Sequence, residues 1–204
     1  MKGRRSILSS AGAVLVLIGA FLIYHYFGTP ITTAGPTTQN KPSTNKVANE
    51  PNWGQRTKTS GCAATLPLQD MGCTPGALIT DATKEQICVP GYAKGVRNVT
   101  TTLKNQVYTT YGIKSRLPGQ YEVDHLVSLQ LGGSNDIANL WPEPATPKPG
   151  FHEKDAVENY LHAQLCSGKM TLKQVQIAIA TNWIDVYTHM TNQQPDSDSD
   201  GDGS

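Results

Sequence analysis

The stretch Tyr121-Glu-Val-Asp-His-Leu-Val-Ser-Leu-Gln-Leu-Gly-Gly-Ser-Asn-Asp-Ile-Ala-Asn-Leu-Trp-Pro-Glu-Pro144 limits the fold more than any other part of the chain. Tyr121, Val123 and His125 alternate with Glu122 and Asp124, the two-residue period of a strand that shows different side chains on its two faces. The alternation then shifts, and a bulge around His125-Leu126 would account for the shift. Gly132-Gly133 opens a turn that runs to Asp136, and the short run from Ile137 to Trp141 is predicted to pair back on the first strand. Pro142, Pro144, Pro147 and Pro149 are expected to forbid any regular element after it.

Around this hairpin the spacing is helical. Between residues 96 and 111, Val99, Leu103, Val107 and Tyr111 recur four apart, and Gly112 closes the element. Val157, Tyr160, Leu161 and Leu165 predict a second helix ended by Ser167-Gly168. A third starts at a capping box, Thr171-x-x-Gln174, and carries Leu172, Val175, Ile179, Trp183 and Val186 on a core stripe. Trp141 and Trp183 read as core rather than as platforms for stacking bases. Residues 62 to 91, broken by Pro67, Thr74-Pro75-Gly76 and Pro90-Gly91, read as an extended arm. The expected fold is α+β: a hairpin and helix flanked by further helices and a disulfide-held N-terminal arm.

The two ends of the 204-residue chain do not read as packed protein. Lys2, Arg4 and Arg5 precede a run from Ile7 to Phe27 without a charged residue, long enough at about 1.5 Å per residue to approach a bilayer core of roughly 30 Å. Residues 1–27 are therefore expected to be a signal-anchor or a cleaved signal segment. The anchor is favoured because only Thr32-Thr33-Ala34 offers a small-residue cleavage site. Residues 28–60, rich in Thr, Pro, Asn and Lys, are expected to form a tether, and 61–190 the folded domain. Residues 191–204 form an acidic tail; Asp196-x-Asp198-x-Asp200-Gly201 starts like a calcium loop but lacks the acidic twelfth position.

Either reading of the first segment places the rest outside the cytoplasm, anchored to the inner membrane and facing the periplasm or extracellular side, or secreted. All four cysteines fall there, and an even count favours disulfides over a zinc site, because no C-x-x-C spacing occurs. Of the three possible pairings, Cys73 with Cys88 and Cys62 with Cys166 is the expected one.

An Asp-His dyad at a strand end, an Asn in the turn and a His at the next helix start suit phosphodiester chemistry. Cleavage needs a base to activate water and a cation to absorb charge at phosphorus. Asp124 offers a hard anionic oxygen to a divalent cation, and His125 is the general base that titrates near neutral pH. Asn139 is expected to tie the turn to the first strand and to orient the His125 ring; His152 is the second metal ligand, with Asp155, Glu158 and Asn159 as rivals. Lys154 and Arg116 are candidate phosphate contacts, and His162 lies too far along the helix to take part.

Asp124-His125, with Asn139 fourteen residues after that His, resembles the first two letters of the HNH endonuclease motif at its usual spacing. The third letter is matched more loosely, by His152 in Gly150-Phe-His-Glu-Lys-Asp155. Together with the segments from Cys73 to Tyr92 and from Leu165 to Trp183, the stretch from about 72 to 185 is similar to small exported bacterial HNH-type proteins. The resemblance implies a ββα-metal unit and an enzyme that hydrolyses DNA, or less readily RNA, with low sequence specificity. It implies Mg²⁺ or Mn²⁺ as the ion, with Zn²⁺ as a further option. Residues 61 to 190 hold ten Lys and Arg against eleven Asp and Glu, so only weak, non-specific attraction for nucleic acid is expected. The competing expectation is a non-catalytic envelope module, held to the membrane by the N-terminal segment, that keeps the fold as an interaction surface.

Overall fold

The computed structural model describes residues 50–192, so the 1–27 segment, the tether up to residue 49 and the tail from 193 lie outside the described residues. The architecture is α+β, with a small two-stranded antiparallel sheet among helices. In chain order the elements are α1 (Lys84–Ile87), α2 (Tyr92–Val96), α3 (Thr101–Thr110), β1 (Tyr121–His125), β2 (Leu140–Pro144), α4 (Phe151–Cys166) and α5 (Leu172–Asn192). Among the described residues no helix is long and apolar enough to cross a membrane.

β1 and β2 pair from Tyr121↔Pro144 to His125↔Leu140 without interruption, so the bulge expected at His125 is absent. The second strand also starts later than expected: Ile137–Asn139 is a single 3-10 turn, and β2 runs through Pro142 and Pro144. The sheet tolerates them because they alternate with Trp141 and Glu143, which puts both missing N–H groups on the open edge of the sheet.

The two faces of the hairpin meet different partners. Val123 and Leu140 pack with Val107 and Tyr108 of α3. Trp141 joins Val157, Leu161 and Leu165 of α4 and Val175, Ile179 and Trp183 of α5 in the main core. Both tryptophans are fully buried core residues, and the Thr171–Gln174 capping box forms as the sequence indicates, with the Gln174 N–H donating to Thr171 Oγ1 and the Thr171 N–H to Gln174 Oε1. α5 bends at Asn182, whose Oδ1 accepts from the Ile184 N–H and restarts the helix.

The N-terminal arm holds one short helix, α1, and is otherwise irregular. Its disulfides are Cys62–Cys73, inside the arm, and Cys88–Cys166, which ties the arm to the end of α4. The expected pairing is therefore overturned. Cys88 follows the single turn of α1, whose Ile87 is buried in the main core together with α4, and that packing brings Cys88 to Cys166 rather than back to Cys73. Residues 50–60, read as the end of the tether, are bound into the fold. The Gly54 N–H donates to the Gly76 carbonyl, and Thr57 and Lys58 both donate to the Gly72 carbonyl. Trp53 packs on the main core.

Candidate functional site

The fourteen residues between β1 and β2 are stapled by Asn139. Its Oδ1 accepts from the Val127 N–H at 2.9 Å, and its Nδ2 donates to the Val127 carbonyl at 2.9 Å and the Ser134 carbonyl at 2.8 Å. Gly133 makes this possible by close approach, since a Cβ there would sit 1.7 Å from the Val127 carbonyl oxygen. Asn139 thus ties together the two ends of the connection, at Val127 and Ser134. All its capacity is spent on backbone, however, and it does not orient His125.

That task falls to Asn135. Its Nδ2 donates to the Val96 carbonyl at 2.8 Å and its Oδ1 accepts the Asn98 N–H at 3.1 Å, which fixes the amide the right way round. Oδ1 also lies 3.2 Å from His125 Nε2, so Nε2 carries the proton and donates. Nδ1 has no hydrogen-bond partner among the described residues, and the residue as a whole is only 2% exposed. Burial pushes the imidazole below its ordinary value, and the charges of Arg97 and Lys154 push the same way; the Asp124 charge and the Asn135 bond oppose them without reversing the shift. His125 is neutral at neutral pH.

Asp124 points to the other face of the hairpin, toward α4, as strand neighbours must. There it meets Lys154, which was expected at a phosphate. The Lys154 Nζ donates to Asp124 Oδ2 at 2.6 Å, to Glu158 Oε1 at 2.5 Å and to the His125 carbonyl at 2.9 Å. Lys154 is 1% exposed, so this ammonium cannot reach a phosphate. Burial alone would lower its proton affinity, but the charges of Asp124 and Glu158 override that and raise it. For Asp124, burial raises, and the Lys154 charge and its hydrogen bond lower, with a net shift downward.

Glu143 completes the cluster from β2. It is fully buried, and no donor from elsewhere reaches either of its oxygens. Neither oxygen has a hydrogen-bond partner; the Asp124 carboxylate is the neighbouring group, and two adjacent carboxyl groups are accommodated by keeping a proton on one of them. Burial holds Glu143 well above the usual carboxylate range, so the proton sits on Glu143.

The remaining predicted site residues lie apart from this cluster. His152 is exposed at the start of α4, with its ring against that of Phe151, and makes no bond to Asp124. It is Lys154, one turn into α4, that reaches Asp124. Arg116 lies over the Tyr108 ring, 3.6 Å from its centre, on the α3 side. Asp155 is exposed, and the Asn159 Oδ1 accepts from Gln130. His162 sits 3.5 Å from Cys166 Sγ; among the described residues, Cys88, His162 and Cys166 are the group whose ligand atoms come within 4.8 Å of one another. The two sulfurs are bonded to each other, which removes them as metal ligands. A divalent ion does not fit between Asp124 and Glu158 either while the ammonium stands there.

Asn135, Glu143 and Arg97 were not singled out from sequence. Glu143 had a signal, a lone charge within an apolar Trp-Pro-Glu-Pro strand, and the Lys154–Glu158 spacing is that of neighbours on one helix face. No protein-family model, curated protein or solved structure matches this chain.

Proposed function

We propose that this chain is a nuclease that hydrolyses phosphodiester bonds of DNA, or of RNA, with little sequence preference, and that His125 is its general base. The observation that carries this reading is the clamp on Nε2 by a fixed Asn135, which leaves a neutral ring with Nδ1 free. Nδ1 takes a proton from water as the water oxygen bonds to phosphorus. The bond from phosphorus to the departing sugar oxygen breaks, and that oxygen takes a proton from solvent. Arg97 is exposed and close enough to depress the proton affinity of His125, which makes it the cation best placed to meet the phosphate.

The order of hairpin, loop and helix agrees with a ββα unit of HNH type. The Mg²⁺, Mn²⁺ or Zn²⁺ that the resemblance implies has no place beside Asp124 while Lys154 holds it, and no step is assigned to a metal. Two disulfides are compatible with an oxidising compartment, and export, with residues 1–27 as anchor or signal, belongs to the same proposal. The second reading, a non-catalytic envelope interaction module, is favoured by the near-complete burial of His125 and the closed Lys154 network.

Plasmid nicking by the full chain, disulfides intact, in Mg²⁺, Mn²⁺, Zn²⁺ and EDTA separates the two. Cleavage that disappears in His125→Ala supports the nuclease. No cleavage of DNA or RNA by folded protein under any of these conditions leaves the interaction module.

A further inference from the structure

We propose that the Lys154 ammonium is the resident cation of this site, holding Asp124 and Glu158 in the place of a divalent metal ion, and that the protein binds such an ion there only when Lys154 is removed. Three features carry the inference. The three N–H groups of the ammonium go to three oxygens, two from carboxylates and one from the His125 carbonyl, at 2.5 to 2.9 Å. Those are the hard oxygen donors that a divalent cation selects. The network joins the hairpin to the first turns of the following helix, where the ion of a ββα-metal unit is expected, and the residue expected to ligate it, His152, stays outside.

Charge and space point the same way. Two ionised carboxylates face one ammonium, and the third carboxyl, Glu143, is sealed in the protein with no donor from elsewhere. Truncating Lys154 would leave two carboxylates and a carbonyl around a gap the size of the ammonium. A divalent ion neutralises that cage. With the ammonium in place an added ion would meet a like charge and find Asp124 Oδ2 and Glu158 Oε1 already occupied.

The corollary, that cleavage proceeds without added metal, rests on the nuclease reading; the binding claim does not. Mn²⁺ binding is read from loss of the free-ion paramagnetic resonance signal with the full chain. The wild type is expected to show no site tighter than millimolar, and Lys154→Ala a single site at least tenfold tighter, lost again in the Asp124→Asn/Lys154→Ala double variant. If Lys154→Ala is unfolded without metal, Mn²⁺ is expected to restore its near-ultraviolet dichroism.

The proposal is overturned by a wild-type Mn²⁺ site that Asp124→Asn abolishes, by a folded Lys154→Ala that binds no better than wild type, or by an unfolded one that metal does not restore. The same samples are assayed for plasmid nicking in EDTA. Cleavage that strictly requires Mg²⁺ defeats the corollary, whereas absence of all cleavage defeats the nuclease reading and leaves the binding result to decide the resident cation.

Discussion

Glu143→Gln should make the protein's stability respond differently to pH. In the folded chain Glu143 is buried and protonated, and in the unfolded chain it ionises near the ordinary 4.5. A group whose folded pKa is raised holds an extra proton in the native state between the two values. Its stabilisation is complete below 4.5 and is lost as pH rises through the folded value. The loss is at most about 1.4 kcal/mol per pH unit for one proton, over the interval between the unfolded and the folded value. Gln keeps the shape but has no proton to lose. Any offset from an imperfectly placed amide is the same at every pH. Urea unfolding followed by the fluorescence of the buried Trp141 and Trp183 gives the stability of each protein at pH 5, 6, 7 and 8. The variant is expected to gain on wild type as pH rises over that range, by up to about 1.4 kcal/mol per pH unit. A difference that stays constant with pH, or shrinks as pH rises, would refute a protonated Glu143.

Three further perturbations separate scaffold from site. Replacing Cys88 and Cys166 by Ala opens a loop of sequence separation 78, and replacing Cys62 and Cys73 one of 11; chain entropy gives losses of about 4.5 and 2.8 kcal/mol, measured by urea unfolding. Asn139→Ala strips partners from the buried Val127 amide and two carbonyls and should cost about 2–4 kcal/mol in the same assay, with residual activity per folded molecule unchanged in pH profile. Asn135→Ala releases His125 Nε2 and should lower nicking about 10- to 100-fold while costing only about 1 kcal/mol of stability.

The helices were legible because their apolar residues recur at helical spacing and because Thr171-x-x-Gln174 is a local signal. The disulfides were not: four cysteines admit three pairings, and the choice depends on the docking of α1 near the end of α4, a contact between segments 78 residues apart. The extent of β2 is hidden in the sequence because proline normally ends regular structure, whereas a strand on an open edge accepts it at alternate positions. In the site, Asp124 and His125 were visible as a pair, but strand geometry sends their side chains to opposite faces, so one partner set could not serve both. The chemistry of metal ligands points to His152 rather than Lys154. What the sequence hides is that burial between two carboxylates makes a lysine the cation of the cluster. Asn135 carries no spacing signal; it is set by the backbone of residues 96–98, which only the folded chain brings alongside.

The rate of single-turnover plasmid nicking by the full chain between pH 4 and pH 8.5 tests the central claim most directly. His125 has its proton affinity pushed below the ordinary 6.5, and only the neutral ring is a base. The rate should therefore rise with a single proton loss at a midpoint below 6.5 and stay level above it, and His125→Ala should show background cleavage throughout. A rate that falls across this range, or a wild-type profile that survives intact in His125→Ala, would contradict His125 as the general base.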